Sequence, residues 1–165
     1  MSTRDTNPFP SDPDRHEIWE ILMRRDFDAF LAADWSLTLP DFLESEFQGI
    51  DGGKQPNPDQ WTLKYASLAP YRDEWLRQAA EFTNVEFRGI SKRDFLFETC
   101  TLQDIEIQEN RAVAHKKFDG RTETIQGEEV RLLWQTLYFL KKVDGHWKIS
   151  GFVGYLPNPL GQPSA

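Results

Sequence analysis

The chain has 165 residues and a mass of 19.3 kDa, which is enough for one domain with its own hydrophobic core. Its 19 basic and 27 acidic residues give a net charge of -8. Because cationic patches bind nucleic acids and anionic membranes, we expect neither partner. The single cysteine, Cys100, cannot form an internal disulfide, and residues 1–10 lack the features of a signal peptide. We therefore expect a soluble, cytoplasmic protein.

The two ends of the chain differ from its middle in composition. Residues 1–10 and 157–165 are rich in Pro, Ser, Gly and Asn, so we interpret them as flexible tails. No repeat and no linker divides the segment between them. We therefore predict a single domain at residues 11–156.

Three helices are predicted in the first half of the chain. Ser11-Asp12-Pro13 supplies a cap and a first-turn proline for a helix that runs to about Ala33. A second, short helix is predicted from Asp41 to about Phe47. A third helix follows Pro70, because apolar residues recur there at helical spacing. Residues 50–59 contain several Gly and Pro breakers and are predicted to form a loop.

After Phe82 the apolar pattern changes from helical to alternating, which indicates strands. The predicted features are short strands at Phe87 and Phe95–Thr99, a hairpin of Leu102–Gln108 and Ala112–Phe118 around Glu109-Asn110, and a turn at Asp119-Gly120.

The strongest hairpin signal is Asp144-Gly145 between alternating hydrophobic residues, because both turn positions need positive φ. Counting outward pairs Val143 with His146, Leu140 with Ile149 and Tyr138 with Gly151. Both faces of this hairpin carry apolar side chains, so each face needs a cover. Helices followed by an antiparallel meander predict an α+β fold with the helices on one face of the sheet.

Several segments in this order resemble the nuclear transport factor 2-like (NTF2-like) superfamily and, within it, the SnoaL-like group. They are Ala32-Ala33-Asp34-Trp35, Tyr71-Arg72-Asp73-Glu74-Trp75-Leu76, Arg111-Ala112-Val113-Ala114-His115 and Asp144-Gly145-His146-Trp147-Lys148-Ile149. The resemblance covers about Asp14 to Leu156. It implies a cone-shaped, curved antiparallel sheet wrapped around the N-terminal helices (a cystatin-like roll), with an apolar pocket at its wide end. It also implies a homodimer through the outer face of the sheet.

Two classes of function follow from this resemblance. One is a small-molecule pocket protein that acts as a cofactor-independent isomerase, dehydratase or cyclase through acid-base chemistry. The other is a non-catalytic ligand-binding or dimerisation module of the same fold. The superfamily contains both classes, and the fold alone does not choose between them.

Two residues are candidates for catalysis. Asp34 closes the first helix, where similar proteins place an acid or a tyrosine at the pocket floor, and it would serve as general base. The alternative is that Asp34 caps nearby backbone amides. His115 would serve as a general acid or base if it faces the cavity. However, the predicted register places it opposite Asp104, where an exposed or interface role is the alternative.

Six aromatic residues are candidates for ligand binding: Trp61, Tyr65, Tyr71, Trp75, Trp134 and Tyr138. Together they would suit a small, flat, apolar or aromatic molecule, with tyrosine hydroxyls donating to a carbonyl or enolate. The alternative is ordinary core packing. No cofactor or metal is expected, because the sequence has no Gly-rich phosphate loop and no His or Cys pair at metal-ligand spacing. A metal bound by Asp104, Glu106 and His115 stays an open alternative.

Overall fold

The computed structural model describes residues 3–160. Its first helix is continuous but changes its winding: α1 spans Pro13–Trp19, a π-helical turn spans Glu20–Arg25, and α2 spans Asp26–Ala32. The predicted helix is therefore confirmed. Its cap is Asp12, whose carboxylate accepts from the backbone N–H of Arg15 at 3.2 Å.

The predicted helix from Asp41 to Phe47 is wrong. This segment forms two 3-10 turns, Leu39–Asp41 and Glu44–Glu46, and then enters strand β1, Gln48–Asp51. The backbone N–H of Leu43 donates to the carbonyl oxygen of Ile149 at 2.8 Å. The sheet thus draws this segment into an extended path that local helix propensity does not anticipate.

Asp41 is a buried carboxylate at the end of the first 3-10 turn. Its Oδ1 lies 3.0 Å from Arg25 Nη2, whereas its Oδ2 has no hydrogen-bond partner among the described residues. Burial raises the pKa of this carboxyl from 3.8 to about 6, although Arg25 and Lys148 act in the opposite direction. The ionised form of Asp41 therefore destabilises the folded state.

We expect the protein to become less stable as the pH rises through about 6. The folded state binds the Asp41 proton more tightly than the unfolded chain, so this stabilisation is complete below about pH 4 and is lost above about pH 6. The proton on Asp41 adds about 3 kcal/mol to the free energy of unfolding at low pH. About 1 kcal/mol of this contribution is lost between about pH 5 and pH 7.5. Urea unfolding of wild type and Asp41→Asn at both pH values measures it. A stability difference between the two proteins that does not change with pH would contradict the prediction.

The third predicted helix is confirmed as α3, Leu68–Thr83. A fourth helix, α4, spans Lys92–Thr99, so the predicted strand Phe95–Thr99 is wrong. Ser91 caps α4 by accepting from the backbone N–H of Asp94 at 3.1 Å. Consecutive α4 residues, Phe95 to Phe97, are buried, and so short a helix has no exposed stripe that would reveal a helical period.

Over residues 3–160 the sheet has six strands. They are β1 (Gln48–Asp51), β2 (Thr62–Tyr65), β3 (Cys100–Gln108), β4 (Arg111–Glu123), β5 (Glu129–Val143) and β6 (His146–Leu156). Their spatial order is β2-β1-β6-β5-β4-β3, and all neighbours are antiparallel except β1 and β6, which are parallel. The predicted α+β class, with a curved sheet around the N-terminal helices, is confirmed. The parallel pair is an addition to the predicted meander.

The Asp144-Gly145 hairpin is confirmed, with φ values of 51° and 82° at the two turn residues. Val143 pairs with His146 and Leu140 with Ile149, as predicted. Beyond Leu140 a β-bulge shifts the register, so Tyr138 pairs with Phe152 instead of Gly151. The extra residue turns Phe152 to the inner face of the sheet, towards the helices.

The hairpin around Glu109-Asn110 is confirmed, but the predicted turn at Asp119-Gly120 is wrong. Strand β4 continues to Glu123, and the chain reverses over residues 124–128. A Cβ atom on Gly120 would lie 2.0 Å from Cγ2 of Thr99 in α4. The glycine therefore permits close packing of a helix against the strand.

The ends of the described segment contact the domain. Arg4 donates to the carbonyl oxygen of Glu98 at 2.7 Å, and Asp5 pairs with Arg93 at 3.1 Å. The backbone oxygen of Pro157 accepts from Gln135 at 2.8 Å. The outermost parts of the two predicted tails, residues 1–2 and 161–165, lie outside the described residues. Within residues 3–160, no helix combines the length and apolarity needed to cross a membrane.

Candidate functional site

A cavity of about 190 Å³ lies between α2, α3 and the inner face of the sheet. Most of its wall is aromatic: Phe27, Phe30, Tyr71, Trp75, Phe82, Phe118, Trp134, Tyr138, Phe152 and Tyr155. Its polar side chains are Asp26, Gln78, Lys116 and Thr136, besides the tyrosine hydroxyls. An engineered cavity of about 150 Å³ binds benzene, so this space suits one or two fused rings. A mostly apolar wall with a few polar groups is typical of small-molecule sites.

Lys116 is the least expected group in this wall, because its side chain is only 2% exposed. It points inward because it lies two residues from both Ala114 and Phe118 along β4, and these two residues are buried on the same face. Its Nζ lies 2.9 Å from Oδ2 of Asp26 and also donates to the backbone oxygen of Leu22. The ammonium group lies 4.4 Å from the centre of the Phe27 ring, so a cation–π contact partly replaces its hydration.

The π-helical turn brings the two acceptors of Lys116 together. At the end of this turn the backbone N–H of Asp26 donates to the carbonyl oxygen of Met23. In a regular α-helix the backbone N–H of Asp26 would donate to the carbonyl oxygen of Leu22. That oxygen instead accepts from Lys116. The Asp26 side chain keeps 26% of its surface exposed. Single π turns occur often at functional sites, and this one shapes the polar end of the cavity.

Tyrosine hydroxyls supply the other hydrogen-bonding groups of the cavity. Burial raises the pKa of Tyr71 and of Tyr138 well above 10, and it also raises the pKa of Tyr155. All three are therefore neutral donors near pH 7. Tyr155 adopts a φ of 56°, which is strained for an aromatic residue, and its hydroxyl lies 3.4 Å from Nε2 of Gln78. Strained backbone of this kind clusters at binding sites.

Solved structures with this architecture match more than four fifths of this chain at low sequence identity. An NTF2-like protein of unknown function from Pseudomonas putida KT2440 has a TM-score of 0.55 and 14% identity, over 86% of this chain and 84% of that chain. A protein proposed to be a ketosteroid isomerase from Shewanella frigidimarina has a TM-score of 0.52 and 15% identity, over 82% and 91%. A third, an NTF2-like protein of unknown function from Shewanella baltica OS155, has a TM-score of 0.50 and 18% identity, over 86% and 92%.

The chain has the NTF2-like fold. The resemblance noted in the sequence is confirmed at this level, whereas the SnoaL-like subgroup stays a prediction. No family model and no curated protein matches the sequence. At these identities the likeness concerns the fold, so function must be argued from the site.

Four of the six predicted ligand-binding aromatics line the cavity of this NTF2-like domain: Tyr71, Trp75, Trp134 and Tyr138. Their role in binding stays a prediction. Tyr65 is buried behind Tyr71, with ring centroids 5.4 Å apart, and does not reach the cavity. Trp61 lies in the loop before β2, where its Nε1 donates to the carbonyl oxygen of Gln55 at 2.8 Å.

The structure places Asp34 outside the cavity, which corrects the predicted location. Asp34 is exposed, and its carboxylate accepts from the backbone N–H and the hydroxyl of Ser36, at 3.0 and 2.6 Å. It therefore caps the 3-10 turn Trp35–Leu37, which is the alternative that the sequence left open.

His115 also lies outside the cavity, and its predicted catalytic location is likewise wrong. It pairs with Asp104 across β3 and β4, as the sequence predicts, and it faces the outer side of the sheet. The reason is alternation, because its neighbours Ala114 and Lys116 are buried on the inner side. Within residues 3–160, no three His, Cys, Asp or Glu side chains converge as a metal site.

The residues at the polar end of the cavity, Asp26 and Lys116, are absent from the sequence-based predictions. A signal for Lys116 is present, however. Strand alternation places it on the same face as Ala112, Ala114 and Phe118, which is an apolar face. A lysine on such a face requires a buried acceptor or counter-charge, and that requirement marks it as a candidate.

Proposed function

We propose that this protein binds one small, flat, largely apolar or aromatic molecule in the cavity, with the polar group of the ligand directed at Lys116 and Asp26. The observation that carries this proposal is the ion pair of these two residues in a mostly aromatic wall. Burying an ion pair costs desolvation energy that its attraction often fails to repay, so hydrophobic residues of similar shape would stabilise the fold at least as well. Ligand recognition explains why charged residues are present there.

The same geometry supports acid-base chemistry, as the SnoaL-like resemblance implies. Asp26 is partly accessible and is the carboxylate that would accept a proton from the ligand. Lys116 and the hydroxyl of Tyr138 would donate hydrogen bonds to the oxygen on which negative charge develops. The reaction class is then a cofactor-independent isomerisation, dehydration or cyclisation, with Asp26 in the role that the sequence suggested for Asp34.

Binding can be tested with naphthalene, 2-naphthol and 2-acetonaphthone, whose ring bodies match the size of the cavity. We expect saturation-transfer NMR and thermal shift to detect binding to the wild-type protein. Leu132→Trp fills the cavity, because Leu132 lines it, and should abolish the signal. The matched control is Leu63→Trp, which adds the same side chain at an exposed position of edge strand β2 and should bind like the wild type. The proposal fails if no probe binds at its solubility limit, or if Leu132→Trp binds equally well.

Catalysis has a separate readout in the exchange of the acetyl protons of 2-acetonaphthone for deuterium in D2O. Abstraction of such a proton next to a carbonyl is the step that Asp26 would perform. We expect wild type to accelerate the exchange seen by proton NMR, and Asp26→Asn to lose the acceleration. Binding without acceleration would favour the non-catalytic module.

We also propose that two copies of the chain pair through the outer face of the sheet. Phe139 on this face is 38% exposed, with Leu137 and Leu133 on the same side of β5. Phe139→Glu should convert a dimer into a monomer of 19.3 kDa in light scattering, because a charge would be buried at the interface. Leu63→Glu is the control, since Leu63 is 58% exposed on edge strand β2. A wild-type protein that is monomeric at about 0.1 mM contradicts this proposal.

A further inference from the structure

The ion pair in the cavity wall also indicates the chemical class of the ligand's polar group. We infer that this group is a neutral oxygen, such as a ketone carbonyl, an enol or a phenolic hydroxyl, and that carboxylates and ammonium ions are rejected. The inference rests on the proposed function, because it assumes that the cavity holds a ligand.

The charges at the cavity wall cancel one another. Nζ of Lys116 lies 2.9 Å from Oδ2 of Asp26, and the other polar side chains of the wall, including Gln78 and Thr136, are uncharged. An anionic ligand would meet the Asp26 carboxylate beside the ammonium, and a cationic ligand would meet the ammonium beside the carboxylate. Either ion would lose its hydration without gaining an uncompensated counter-charge.

The hydrogen-bonding capacity of the pair suits a neutral oxygen. A lysine ammonium has three donors, and Leu22 and Asp26 accept two of them. The contact with Lys116 uses Oδ2 of Asp26, so the other carboxylate oxygen is an acceptor at the same end of the cavity. One donor and one acceptor side by side match a hydroxyl or enol, which accepts and donates, and the donor alone matches a carbonyl.

The shape of the wall favours a planar body behind this oxygen. Phe118 and Trp134 stack with ring centroids 4.5 Å apart and an interplanar angle of 24°, so two nearly parallel aromatic rings stand in this wall. On the helix side, Phe30 and Trp75 meet edge to face at 81°. A conjugated ring ketone, enol or phenol would continue these stacked and edge-to-face ring contacts and would present a neutral oxygen to the polar end.

Four probes with the same ring system test the inference on the wild-type protein: naphthalene, 2-naphthol, 2-naphthoate and 2-naphthylmethylammonium. At neutral pH we expect 2-naphthol to bind at least about tenfold more tightly than either ion, and more tightly than naphthalene. Tighter binding of either ion than of 2-naphthol overturns the inference while leaving the binding function intact. Absence of binding by all four, naphthalene included, is instead a failure of the proposed function.

Charge-changing variants test the physical cause. Asp26→Asn leaves Lys116 without its counter-charge, so the affinity for 2-naphthoate relative to 2-naphthol should rise about tenfold. Lys116→Met should shift the preference towards 2-naphthylmethylammonium, and the double variant Asp26→Asn/Lys116→Met should restore the preference for 2-naphthol over both ions. Asp28→Asn is the matched control on α2, because Asp28 is exposed and pairs with Arg93. Near-UV circular dichroism verifies folding, and unchanged selectivity in both folded single variants contradicts the inference.

Discussion

Lys116→Met should lower the free energy of unfolding by about 3 kcal/mol, one of the largest effects expected of a single substitution here. The methionine fills a similar volume, but the Asp26 carboxylate loses its cation and the carbonyl oxygen of Leu22 loses its donor. The loss is moderated because Asp26 keeps 26% of its side-chain surface exposed. Urea unfolding followed by far-UV circular dichroism measures the change.

The double variant Asp26→Leu/Lys116→Met distinguishes the stability cost of leaving one ion unpaired from the cost of removing the whole ion pair. It replaces both ions with apolar groups, so most of the lost stability should return, in keeping with buried ion pairs elsewhere. The preference for 2-naphthol over naphthalene should not return with it, because the donor and the acceptor for the hydroxyl group are both absent. If the double variant is less stable than Lys116→Met, the pair stabilises the fold in its own right, and the argument that it exists for recognition loses its energetic basis.

Gly151→Ala should also destabilise the protein by about 3 kcal/mol or more, through a clash that side-chain rotation cannot relieve. A Cβ atom on Gly151 would lie 2.4 Å from the backbone oxygen of Gln48, its partner across the parallel pair of β6 and β1. Relief requires β1 to move away from β6. We expect urea unfolding to show the loss and hydrogen exchange to show weaker protection of the β1 amides.

Gly49→Ala provides the comparison for this effect. A Cβ atom there would lie 2.7 Å from ring atoms of Phe152, which is a side chain that can shift. The loss should therefore be smaller, about 1–2 kcal/mol. Equal losses in the two variants would show that backbone proximity does not set the cost at Gly151.

Elements with strong local signals could be predicted from the sequence. Asp144-Gly145 fixes its hairpin, because so few residue pairs adopt left-handed backbone at both turn positions; in the Glu109-Asn110 hairpin Glu109 alone has a positive φ, of 56°. The bulge beyond Leu140 could not be predicted, because no residue type in the sequence indicates the inserted residue. The insertion moves Phe152 from one face of the sheet to the other.

Elements set by tertiary contacts were missed for a different reason. Helix α4 is covered on most sides, so Phe95 and Phe97 mimic strand alternation, although the Ser91-x-x-Asp94 cap was visible in the sequence. The candidate site was missed because its two charged members are 90 residues apart and meet only when the helix packs on the sheet. A single aspartate or a single lysine in the sequence does not indicate a site, whereas the two together in one cavity do.

The position of β6 has a consequence for how the domain forms during synthesis. Among the strands of the described segment this one is made last, yet it lies between β1 and β5 and joins β1-β2 to the remaining strands. At the usual rate of translation, roughly 5–20 s pass between the synthesis of β1 and the synthesis of its partner β6. Until residues 146–156 emerge from the ribosome, the sheet exists as two separate parts and the cavity lacks Phe152 and Tyr155. The nascent chain therefore cannot complete this cavity before nearly all of the domain has been translated.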